Sequence, residues 1–131
     1  MVNYLAILIA ALAGFVIGFI WYMPQVFGNL WMKLAKVSQK DVKKGQEKMK
    51  QKMLINLVSL LVMAWVFTRL MGNGTFFDGA LRGFYLWLGF VATTSVHSVL
   101  WREEPWGLWL LNNGHNLVSI VVMGGILSVW L

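Results

Sequence analysis

The chain has 131 residues, 59% of them apolar and 15% aromatic, with a mean hydropathy of +0.67. Soluble domains carry roughly 45–50% apolar residues, so this composition excludes an ordinary soluble domain and indicates one integral membrane domain. Zero cysteines exclude disulfides, thiolate metal sites and cysteine nucleophiles, and the net charge of +6 comes from basic residues concentrated in one stretch rather than spread as on a nucleic-acid-binding surface.

At the N-terminus, Ala11-Leu12-Ala13 has the form of a signal-peptide cleavage site. No positive region precedes it and the apolar run continues beyond it, so the segment reads as an uncleaved span. A spanning helix needs about 20 mainly apolar residues, and four segments meet that demand, at about 2–23, 53–71, 80–101 and 107–130. The expected fold is an all-α integral membrane protein. It is a single four-transmembrane-helix bundle over 1–131, with a basic amphipathic connector over 24–52 between the first two spans.

All eight lysines lie between Lys33 and Lys52. Basic residues stay on the cytoplasmic side during insertion, which puts this connector inside and both termini outside. The eight lysines and Arg102 then make nine of eleven basic residues inside, leaving Arg69 and Arg82 outside. Trp and Tyr favour the headgroup level. Trp21, Tyr22, Trp31, Trp101, Trp106 and Trp109 are expected as an inner belt, and Tyr4, Trp65, Phe76, Phe77 and Trp130 as an outer one.

Within the connector, Val26, Phe27, Leu30, Trp31 and Leu34 recur at helical spacing, which predicts a short helix lying in the interface. Ser38 with Asp41 three residues on has the form of a helix start. A helix from there through Gly45 into the second span would hold about 30 residues and run about 45 Å; the alternative is a flexible basic linker. Lys33, Lys36, Lys40, Lys43, Lys44 and Trp31 are expected to contact anionic lipid headgroups, at about 1 kcal/mol per basic residue.

Polar groups in hydrocarbon are costly, so their placement carries the chemistry. Asn56 and Ser59 on the second span, Thr93, Thr94, His97 and Ser98 on the third, and Asn112, His115, Asn116 and Ser119 on the fourth share helix sides at spacings of three or four. Nearly all fall in the half of the membrane nearest the lysines. They are read as a polar vestibule opening towards the cytoplasm, with His97 and His115 its titratable members; the alternative is that they hydrogen-bond across helices and hold the bundle together. Two His without Cys or an intramembrane carboxylate fall short of a zinc site, so neither a metal nor another cofactor is expected. Glu103 and Glu104 sit on a short polar turn and are read as solvated or paired with Arg102. Small residues at Ala10, Gly14 and Gly18, at Gly79 and Gly83, and at Gly124 and Ser128 let backbones approach closely, either within the chain or between copies in a homo-oligomer.

The residues Trp21-Tyr22-x-Pro24-x-x-Phe27-Gly28-x-x-Trp31-Met32, Thr93-Thr94-Ser95, and Asn112-x-Gly114-x-x-Leu117-Val118-Ser119-x-x-x-Met123-Gly124 resemble the bacterial membrane family called domain of unknown function 1761, over nearly the whole chain. The resemblance implies four spans in a bacterial cytoplasmic (inner) membrane and brings no established activity. It also implies an aromatic residue followed by His where this chain has His115-Asn116, a departure from the pattern.

Three functions compete. The leading expectation is a homo-oligomeric transport or channel protein passing a small solute or proton through the vestibule. The second is a non-catalytic structural or accessory protein that binds anionic lipid or a partner through its lysines. An enzyme ranks last, because catalysis needs a base oriented beside a nucleophile or metal, and the spans offer only two His.

Overall fold

The structure, a computed structural model, describes residues 3–130. Four helices are long and apolar enough to cross a membrane: the first span Tyr4–Trp21, the second Met49–Leu70, the third Phe76–Trp101 and the fourth Trp106–Trp130. No strand occurs among the described residues. Val2, the expected start of the first span, lies outside them, as do Met1 and Leu131 of the expected single domain.

Side-chain caps decide where several helices start. Asn3 accepts a hydrogen bond from the backbone N–H of Ala6 at 3.1 Å and so caps the first span. The third span begins at Phe76, ahead of the apolar run near 80, because Thr75 and Asp78 form a reciprocal capping box. Ser38 and Asp41 form a second such box, which starts the connector helix Gln39–Gln46. The Asp41 carboxyl is held below its ordinary value, first by the backbone N–H of Ser38 and then by its hydroxyl.

The connector is helical in pieces. After the first span the chain makes a wide π-type turn, Pro24–Gly28, followed by the short helix Asn29–Ala35. Gly28 is needed in that turn, since a Cβ there would lie 2.9 Å from the Met23 carbonyl. Lys36, in the left-handed region at φ 58°, ends the short helix. The helix from Ser38 does not run unbroken into the second span. It stops at Gln46, and the second span restarts at Met49, while Lys52 Nζ donates to the carbonyl of Gly45, one of the last in the stopped helix, at 3.2 Å.

The fourth span is the axis of the bundle. Ten of its residues are buried against two on the second span. The third span packs on it most extensively, the first next, and the second span lies mainly against the first. Leu127 and Met123 are fully enclosed, in a core shared with Ala6, Ile7 and Ala10 of the first span and Ala64 and Phe67 of the second.

Glycine makes the third-to-fourth crossing possible. A Cβ on Gly83 would stand 2.8 Å from the Ile120 carbonyl oxygen, and one on Gly124 would stand 2.6 Å from that of Gly79. Backbone at that range leaves no room for a side chain at Gly79, Gly83 or Gly124. These stripes are therefore used inside the chain. At the far end from the lysines, Ser128 Oγ donates to the Gly72 carbonyl at 2.7 Å, and the Gly74 N–H donates to the Ser128 carbonyl at 3.1 Å. That pair ties the loop between the second and third spans to the axis.

Gly79→Ala should lower the melting temperature of the detergent-solubilised protein by several degrees, because the new methyl meets backbone that cannot yield; overpacking costs about 1–3 kcal/mol. Gly89→Ala, where a Cβ meets nothing within 4 Å, should leave it unchanged. The two melting curves, followed by retention of the folded peak after heating, test this together.

Candidate functional site in the seam between the first and fourth spans

The fourth span carries five polar side chains in its half nearer the lysines, and they face two neighbours. Asn112, His115 and Ser119 sit at three- and four-residue spacing. Tyr22, at the end of the first span, donates its hydroxyl to Asn112 Oδ1 at 2.7 Å, and the Trp21 indole N–H donates to the Leu111 carbonyl at 3.0 Å. These two bonds fasten the end of the first span to the fourth.

His115 fits between them only because residue 18 is glycine, where a Cβ would lie 2.9 Å from its Nε2. Its ring packs edge-on against Tyr22 at 5.3 Å between centroids and lies 6.2 Å from Trp21. Phe27 of the wide turn packs at a tilt against Trp21, 4.6 Å between centroids, and Trp31 meets Tyr22 edge-on at 6.4 Å. The wide turn and the short helix thus lay aromatic rings over the end of the seam.

Two atoms in this seam have no hydrogen-bond partner: His115 Nε2 and Ser119 Oγ, both buried. One turn further out the seam becomes apolar, where Met123 reaches the position a Cβ on Gly14 would occupy, beside Leu60. The polar stretch is therefore open in composition towards the lysine-rich end and stopped by hydrocarbon near its middle.

The other polar side faces the third span. The Trp87 indole donates to the Asn113 carbonyl at 2.9 Å, Asn113 Nδ2 donates to the Trp109 carbonyl at 3.0 Å, and Asn116 Nδ2 donates to Asn113 Oδ1 at 3.3 Å. Trp109 in turn donates to Ser95 Oγ at 3.0 Å. This network holds the third span at its own wide turn, Trp87–Ala92. A π-type turn displaces the i+4 N–H from its carbonyl. The hydroxyls of Thr93 and Thr94 donate to the carbonyls of Gly89 and Phe90, so these two acceptors do not face hydrocarbon bare.

The ten sequence-derived polar residues thus divide. Asn112, His115, Asn116 and Ser119 are interior and close together. Ser98 is part-buried and donates to the Ser95 carbonyl at 3.0 Å. Asn56, Ser59, Thr93, Thr94 and His97 are exposed on the second and third spans, Ser59 donating to its own helix at the Ile55 carbonyl at 2.9 Å. They do not line one cavity with the interior group. Lys33, Lys36, Lys40, Lys43 and Lys44 are exposed, whereas Trp31 is half-buried against Tyr22. Trp21 and Trp109 turn their N–H groups into the bundle, while Trp101 and Trp106 stay exposed. Sequence reasoning passed over Asn113, only 5% exposed, although its place beside Asn112 was a visible signal. Among the described residues, no three His, Cys, Asp or Glu side chains come together to hold a metal ion.

The model of the family described as protein of unknown function DUF1761 matches residues 5–128. The chain belongs to that family. No curated protein and no solved structure matches it.

The Tyr22–Asn112 bond is open to a double-mutant cycle. Tyr22→Phe, Asn112→Leu and the double variant, compared by unfolding in mixed micelles, should give a coupling of about 0.6–1.7 kcal/mol, the range for hydrogen bonds between spans. A coupling of zero would mean that the two side chains do not meet.

Proposed function

We propose that this DUF1761 member is a small membrane transport protein whose solute or proton site is the seam between its first and fourth spans. The observation that carries the reading is the pair of unpartnered buried atoms, His115 Nε2 and Ser119 Oγ, in a seam where Tyr22 and Trp21 both bond to the fourth span. Leaving a buried polar group unsatisfied costs about 1–3 kcal/mol. Two such groups one helical turn apart, next to a hydrogen-bonded Tyr22–Asn112 gate, suit a site that exchanges hydrogen bonds with what it passes. Imidazole can accept and release protons near neutrality, and a serine hydroxyl both donates and accepts. Gly18 leaves only backbone directly opposite His115, so small movements of the first span would open or close the path.

Under this reading the lysine-rich connector lies on the cytoplasmic side of the membrane and the seam opens there. The outward-facing Asn56 on the second span favours a homo-oligomer, since a neighbouring copy would satisfy a polar group that lipid cannot. A second reading, an accessory protein held at anionic lipid by its lysines, is favoured by one observation: Ser59, Thr93 and Thr94 are each satisfied by their own helix and need no solute.

Proteoliposomes with a trapped pH dye and an imposed ion gradient separate the two. Proton or small-ion flux should fall at least tenfold in His115→Leu and markedly in Ser119→Ala, with Leu12→Ala unaffected. Absence of flux for protons, ions and small solutes in the unaltered protein would overturn the transport reading. A phenotype lost on replacing the lysines with glutamine, and kept in His115→Leu, would establish the second.

A further inference from the structure

The second and third spans do not close on each other, and beyond the apolar gap between them a polar hollow lies along the third span. In the gap, Met63, Phe67 and Leu70 of the second span face Leu86 and Phe90 of the third across Ile120 of the fourth, around a wholly apolar hollow of about 260 Å³. Nearer the lysines, along the third span, a separate open hollow is lined by Thr94, His97, Ser98, Trp101 and Arg102.

Helical spacing joins the two. Leu86, Phe90 and Thr94 follow at intervals of four through the wide turn, where each turn takes more than four residues, and Ser98 continues the stripe. On the facing helix, Met63, Phe67 and Leu70 follow at intervals of three or four, and all three line the apolar gap. Along the third span this stripe therefore changes from apolar at Leu86 and Phe90 to polar at Thr94 and Ser98, running towards the lysines.

We infer that this gap is a lateral binding groove for a membrane lipid with an anionic headgroup, its acyl chain lying between Met63, Phe67 and Phe90 and its headgroup held by Arg102 and His97. Charge complementarity argues for the headgroup's sign: Arg102 and His97 line the polar hollow, and no carboxylate does. Glu103 and Glu104 follow Arg102, but the chain turns back there, with the Glu104 N–H donating to the Ser98 carbonyl at 3.2 Å, and neither lines the hollow. The exposed Trp101 marks this end as the headgroup level, where indole is enriched. Width argues for a chain over a protein: a helix with its side chains is about 10–12 Å across, too broad for a hollow of about 260 Å³. The groove is distinct from the seam between the first and fourth spans, and its occupancy is independent of any transport there.

The test uses the whole chain in nanodiscs with a photoreactive phospholipid carrying a diazirine midway along one acyl chain, headed by phosphatidylglycerol or by phosphatidylcholine. The phosphatidylglycerol probe should label Met63 and Phe90 and their neighbours above the exposed first-span residues Leu8 and Leu12. The phosphatidylcholine probe should label them about fivefold less, the ratio that corresponds to about 1 kcal/mol for a basic residue near the surface. Arg102→Gln combined with His97→Gln should remove that preference and leave first-span labelling and the melting temperature unchanged. Met63→Cys in this cysteine-free chain should stay monomeric on oxidation. Even labelling of all exposed faces, no preference between headgroups, or a disulfide dimer through Met63→Cys, which would place a second copy in the groove, would each overturn the inference.

Discussion

The bundle depends on how closely the fourth span can be approached from two sides. Gly79 and Gly83 let the third span press its backbone against Ile120 and Gly124, and Gly14 and Gly18 let the first span lie against Met123 and His115. In hydrocarbon, association gains nothing from hiding apolar surface and relies on close packing and hydrogen bonds. Glycine supplies the first and brings partners into range for the second. Tyr22 reaches Asn112 and Trp87 reaches the Asn113 carbonyl because the helices carrying them are already in contact.

From that constraint the uneven architecture follows. The fourth span is held on both flanks and contributes more buried residues than any other span, while the second rests mainly on the first and leaves the gap towards the third. Polar chemistry separates accordingly. On the central helix Asn112 meets Tyr22 of another helix, Asn113 and Asn116 bond within their own, and His115 Nε2 and Ser119 Oγ stay buried without a partner, whereas Ser59, Thr93 and Thr94 on outer faces turn back to their own carbonyls. The wide turn in the third span belongs to the same solution, since it frees carbonyls that neighbouring threonines then satisfy.

Much of this was legible in the residues. The apolar runs located the four spans, Ser38 with Asp41 marked a helix start, and the motifs from Trp21 to Met32 and from Asn112 to Gly124 pointed to the family. What could not be read was which helix each face meets. Helical spacing groups Asn56 with Ser59 and Asn112 with His115 equally well, yet only the second pair lies inside, because that depends on where glycine permits contact. Trp21 near a span end reads as an interfacial anchor; its N–H points inward because the Leu111 carbonyl lies 3.0 Å away on another helix. The small-residue stripes likewise left open whether they serve one chain or two, and here the third-to-fourth stripe is spent within one.

The seam is the part of the molecule that packing alone does not explain, and its two unpartnered atoms give it a direct readout. The chain has only two histidines, His97 on an exposed face and His115 in the seam. Water-edited solid-state NMR of the protein in bilayers, with 15N-labelled histidine and one His97→Gln sample for assignment, would read the hydration of each ring. Water polarisation reaching His97 quickly and His115 more slowly but fully is the predicted result. A His115 ring that receives none would contradict a seam reached from the lysine-rich end.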